Sequence, residues 1–106
     1  MPFVELDKIE EKEIVPGFRA KFVHTENMTF AYWTIKAGSS LPDHKHIHEQ
    51  VANLIEGTFE LTVAGETRRL TPGTPVVIPS NVPHTGKAIT DCFIIDVFYP
   101  VREDYK

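Results

Sequence analysis

A chain of 106 residues is long enough for one domain with a modest core and too short for two, so a single domain over residues 4–106 is expected. The formal net charge of −4 and the lack of any Lys/Arg run leave no basic face for phosphates, which excludes nucleic acid as an expected partner. A lone cysteine (Cys92), a charged N-terminal stretch and no apolar run of bilayer-spanning length point to a cytoplasmic protein with no membrane partner.

Leu6 and Ile9 are spaced for one helical turn, in a segment too short and too charged to carry weight. Beyond it, eight prolines and six glycines punctuate short alternating or apolar runs rich in β-branched and aromatic residues, an all-β pattern. The expected strands cover residues 18–24, 29–36, 45–55, 58–63, 67–70, 74–78, 84–89 and 92–99. Glu56-Gly57, Ala64-Gly65-Glu66 and Thr71-Pro72-Gly73 supply turns between them. Short strands at this spacing make a sandwich or barrel. In strand 58–63, Phe59, Leu61 and Val63 share one face, opposite Thr58, Glu60 and Thr62. Strand 92–99 is apolar on both faces, and a small barrel has only one inside. The second face therefore predicts cover by another sheet or by a second copy, and a homodimer is expected. Trp33, Phe30, Tyr32 and Tyr99 are expected to pack in the core or an interface.

The densest chemistry is Gly38-Ser-Ser-Leu-Pro-Asp-His44-Lys-His46-Ile-His48-Glu-Gln50, followed by Gly57. If this segment is extended, His44, His46, His48 and Gln50 share a face, and imidazoles converging on one spot make a transition-metal site. The competing reading is a solvated loop after Pro42 with titrating surface histidines. A second segment, Gly73-Thr-Pro-Val-Val-Ile-Pro79-Ser-Asn-Val-Pro83-His84, reads as a tight corner, a buried strand, a proline-braced loop and one more histidine. Together the two stretches resemble the paired motifs of the cupin superfamily, G-x5-H-x-H-x3-[E/Q]-x6-G and G-x5-P-x-G-x2-H, with every spacing kept. The resemblance implies a small all-β cupin, a double-stranded β-helix or jelly-roll barrel. It also implies one divalent transition metal (Ni, Zn, Mn, Fe or Co) held by His44, His46, Gln50 and His84. His48 coincides with no ligand position and is expected to orient ligands or line the pocket. Three positions depart from the pattern: Gln50 for the frequent Glu, Asn81 for Gly, and Ala88 for the frequent Asn. Asparagine tolerates a left-handed backbone, so Asn81 threatens the loop little. Gln50 leaves the donor set neutral, which strengthens a divalent ion as a Lewis acid and favours an acidic ligand.

The C-terminal run carries a second signal. Asp96 lies among Ile94, Ile95, Val97 and Phe98, where an ionised carboxylate is costly unless paired. A salt bridge to an arginine, the capping of loop amides and general acid–base chemistry all remain open from the residues alone. The ending Asp96-Val-Phe98-Tyr-Pro-Val-Arg102-Glu-Asp-Tyr105, with H-x-H-x-H-E-Q upstream, resembles the pectin-degradation cupins that linearise unsaturated uronates. That resemblance implies a metal-dependent enzyme converting 4,5-unsaturated monouronates, from pectin or alginate, to open-chain 5-keto-4-deoxyuronate. Its catalytic residues would be Asp96 as general acid–base, Phe98 against the sugar ring and Arg102 on the carboxylate of a small anionic sugar. Asn53 departs from an aromatic common in that family, which bears on substrate preference. A dioxygenase or a non-catalytic sugar-binding cupin are the alternatives.

Overall fold

The computed structural model describes residues 2–106. Among them run ten strands: β1 (Lys12–Val15), β2 (Phe18–His24), β3 (Thr29–Ile35), β4 (Ser40–His44), β5 (Glu49–Glu56), β6 (Phe59–Val63), β7 (Glu66–Leu70), β8 (Val76–Ile78), β9 (His84–Ala88) and β10 (Cys92–Tyr99). Short 3-10 turns at Leu6–Lys8 and Glu103–Tyr105 flank them. The strands form a six-stranded sheet, β1-β2-β3-β10-β5-β8, and a four-stranded sheet, β4-β9-β6-β7, with every strand pair antiparallel. No helix among the described residues is long and apolar enough to cross a membrane.

Alternation places the core between the sheets. Phe18, Phe22, Trp33, Ile35, Leu54 and Ile94 point inward from the larger sheet onto Phe59, Leu61 and Leu70 of the smaller one. Gly57, between β5 and β6, has φ +97°, and a side chain there would run into the Asp91 carbonyl, so only glycine fits.

The strands depart from the sequence reading chiefly at β1, β4 and β5. β1 and β4 were not expected as strands, and the strand expected over 45–55 starts only at Glu49. Pro42 and a polar run disguise β4; it lies at a sheet edge, where proline removes no ladder bond. Its pairing with β9 is bulged between Leu41 and His44, and residues 45–48 curl out of strand geometry. Among the described residues, no second sheet covers the outer face of β10. Phe93, Ile95 and Val97 are half-buried, and Tyr99 is 57% exposed. The strand registers align Val23, Phe30, Val97, Val51 and Val77 into one apolar row across five strands of this face.

Candidate functional site

The register of the small sheet sets two histidines face to face. His44 ends β4, His84 begins β9, and the two are paired directly across the strands with ring centroids 4.1 Å apart. His46 arrives from the loop. The Asn81 amide donates to the His46 carbonyl at 2.7 Å and the Ser80 hydroxyl donates to the Ile47 carbonyl at 2.6 Å, pinning this loop to the proline-braced one. Asn81 holds φ +62°, the left-handed conformation that its place in the motif demands.

Backbone carbonyls fix the tautomer of all three rings. The Nδ1 of His44 donates to the Pro42 carbonyl (2.8 Å), that of His46 to the His48 carbonyl (3.0 Å) and that of His84 to the Val82 carbonyl (2.9 Å). Because a carbonyl only accepts, each Nδ1 carries the proton and each Nε2 keeps its lone pair. One ring nitrogen from each histidine falls within 4.8 Å of the others, and His84 Nε2 is buried with no hydrogen-bond partner. Gln50 Oε1 lies 3.2 Å from His46 Nε2. Two acceptors facing each other repel unless a cation lies between them, and donor atoms about 2.1 Å from one ion and at right angles stand about 3 Å apart. Burial, then the Arg102 charge and the neighbouring His84, push the His46 pKa down to about 4, and burial lowers that of His84 as well. The His46 and His84 rings are therefore neutral at neutral pH, as ligation requires. These residues suit a divalent metal, and nitrogen-rich donors of this kind suit a transition ion.

Asp96 faces the same interior from β10. It lines a cavity of about 60 Å³ with His44, His46, Gln50, His84 and Arg102. Register explains its neighbours. Asp96 pairs with Ala31 on β3 and with Ala52 on β5, so the inward residues diagonal to it are Trp33 and Gln50. Burial pushes the Asp96 pKa up to about 7, against the opposing effect of hydrogen bonds from Gln50 and Trp33 and of the Arg102 charge. An ionised carboxylate only accepts, so the Gln50 amide nitrogen turns to Asp96 and its oxygen to the histidines. Even so, Asp96 Oδ1 has no partner.

Arg102 closes the mouth. Its Nε and Nη2 donate to the two oxygens of Asp104 at 3.0 and 2.8 Å, and its guanidinium carbon lies 4.7 Å from the Phe98 ring centre and 4.0 Å from that of Tyr105. Phe98, 2% exposed, stands edge-on to His46 with ring centres 5.7 Å apart.

All the residues singled out in the sequence as ligands or catalytic groups therefore converge on one cavity. His48 stands beside them: its ring centre lies 5.4 Å from that of His46, its Nδ1 is buried without a partner, and it does not line the cavity. Asp96 has no salt bridge, and Arg102 is paired with Asp104 instead. Sequence reasoning missed Trp33, Asp104 and Tyr105 as parts of the site. Trp33 reaches Asp96 only through strand register, whereas Asp104, two residues from Arg102 with opposite charge, was a signal within reach.

A two-sheet antiparallel barrel with a histidine cluster in its mouth defines a cupin. The family described as Cupin domain matches residues 31–98, and the chain belongs to it. Among its relatives, the pectin degradation protein KdgF of Dickeya dadantii is 28% identical over 102 residues, covering 93% of each chain. The structure of KdgF from a Halomonas species superposes with a TM-score of 0.92 at 29% identity, over 100% of this chain and 99% of that one. An RmlC-like cupin from Shewanella frigidimarina gives a TM-score of 0.93 at 27% identity, over 100% and 96%.

Proposed function

We propose that this cupin is a metal-dependent enzyme that converts 4,5-unsaturated monouronates, released from pectin or alginate, to open-chain 5-keto-4-deoxyuronate. The observation that carries the reading is where unpartnered polar groups lie. Among the described residues, the buried side-chain atoms without a hydrogen-bond partner are His48 Nδ1, His84 Nε2 and Asp96 Oδ1, all in or beside the mouth cavity. Buried polar atoms are nearly always satisfied, so such a concentration marks groups held ready for a ligand. Similarity to proteins named KdgF supports a role in pectin degradation.

His44, His46, Gln50 and His84 would hold the ion. Bound there, a divalent cation supplies Lewis acidity to a substrate oxygen on which negative charge develops. Asp96, with a pKa of about 7, populates both protonation states near neutrality, the condition for a proton carrier. It takes the proton from the anomeric hydroxyl as the C1–O5 bond breaks and an aldehyde forms at C1, leaving the electron pair on O5. Returning that proton to C4 turns the C4–C5 enol into the C5 ketone, so substrate and product are isomers and no co-reactant is consumed. Arg102 holds the uronate carboxylate with the hydrogens that Asp104 leaves free, and Phe98 covers the ring face and excludes water. A second copy packs on the apolar row of the larger sheet, making a homodimer. A cytoplasmic setting suits the buried, lone Cys92.

The test is to incubate the purified protein with unsaturated galacturonate, with and without a chelator, and follow the enol-ether absorbance. Loss of absorbance faster than the spontaneous rate, abolished by chelation and restored by metal, is the expected result. No loss beyond the spontaneous rate refutes the assignment for this substrate.

A further inference from the structure

Arg102 is a buried cation anchored from outside the cavity it lines. Its side chain is 8% exposed, whereas that of Asp104 is 57% exposed. The carboxylate takes the guanidinium side-on, through Nε and Nη2. Of the five N–H groups of an arginine this pair uses two, leaving both hydrogens of Nη1 and one of Nη2. The rest of the residue is equally fixed. Its backbone N–H donates to the fully buried Thr29 hydroxyl at 2.8 Å, and the Phe98 and Tyr105 rings wall the guanidinium.

We propose that Asp104 is the positioning residue of the carboxylate subsite: by occupying one edge of the Arg102 fork from the solvent side, it presents the opposite edge to an acid group in the cavity. The proposal deepens the uronate reading and rests on it for the role of Arg102. Without the outer anchor, the strongest remaining partner for this guanidinium is Asp96, whose Oδ1 is unpartnered. Arg102 would then turn inward, and a ligand carboxylate would meet a fork already taken. Asp104 touches neither substrate nor metal, and its effect passes through arginine geometry. A carboxylate caught end-on by a fork held side-on gains from preorganisation, because the long side chain has no freedom left to lose.

The test compares wild type with Asp104→Asn and Asp104→Glu as metal-loaded, full-length protein. Trp33, the only tryptophan of the chain and part of the cavity wall, reports binding by fluorescence. Saturated galacturonate and neutral galactose are the two probes. In Asp104→Asn, the galacturonate Kd and the KM for unsaturated galacturonate should rise about tenfold, with kcat within about twofold. Galactose binding should not change, and Asp104→Glu should recover most of the loss. Unchanged Kd and KM, or a fall in kcat alone, overturns the proposal. If wild type binds galacturonate but turns over no unsaturated uronate, the reaction is wrong and Asp104 is judged on Kd alone. If wild type binds no galacturonate, both readings fall.

Discussion

The inner wall of the barrel mouth and the C-terminal turn that closes it treat their polar groups in opposite ways. On the wall, Asp96 is buried with Oδ1 unpartnered and its pKa raised to about 7, and His84 Nε2 is unpartnered too. On the turn, Asp104 is paired at both oxygens, and the hydrogen bonds and charge of Arg102 hold its pKa below the usual carboxylate range. The same arginine stands near both carboxylates. What separates them is burial and which one the guanidinium faces, and the result is an unpaired carboxyl with a raised pKa beside a carboxylate held in a clasp.

The sharpest way to break this contrast is to neutralise the wall. Asp96→Asn keeps the shape and removes the proposed proton carrier, so turnover of unsaturated galacturonate should fall about 10²- to 10⁴-fold, with metal content by elemental analysis unchanged. Full activity in this variant ends the acid–base role. Next comes the turn: Arg102→Ala should raise KM about tenfold or more while leaving kcat much less affected, as steady-state kinetics will show.

A subtler effect lies in stability. In the metal-free protein the folded pKa of Asp96, about 7, lies above its ordinary value of 3.8. Between these values the unfolded chain has released its proton and the folded chain has not, so stability falls as pH rises from about 4 to about 7. Below that window the Asp96 penalty is absent, and above it complete, on the order of 4 kcal/mol. Asp96→Asn lacks this slope. Urea melts of the two proteins across that range should show wild type losing ground with rising pH; parallel curves would mean Asp96 is not desolvated. His46, His48 and His84, with lowered pKa values, act in the opposite sense as pH falls, and they cancel in the difference between the two proteins.

Much of this arrangement is legible in the chain because it is local or periodic. β2 and β10 have the bounds expected from short runs of strand-forming residues, and the ligand spacing is a matter of counting residues. What was not legible depends on partners far away. β4 could not be seen because Pro42 and a polar run are tolerated only at an edge, and a sequence does not announce its edges. The curl of residues 45–48 depends on Asn81 and Ser80 reaching across from another loop. Trp33 meets Asp96 through a register between strands sixty residues apart in the chain. The Arg102–Asp104 pair, two residues apart and opposite in charge, was within reach of the sequence, whereas the Phe98 and Tyr105 rings that wall the guanidinium come together only in the fold.

His44, His46, Gln50 and His84 are proposed as the ligand set of one metal ion. Calorimetric titration of the chelator-treated protein with a divalent transition ion, alongside His84→Ala, tests it most directly. One ion per chain is expected in wild type, with little proton release from His46 and His84, whose rings are already neutral at neutral pH. The same ligand set implies at least about a hundredfold weaker binding in the variant, at or beyond the upper end of the roughly 10- to 100-fold that loss of a group merely orienting a ligand costs. No saturable binding by wild type, or equal affinity in His84→Ala, would contradict it.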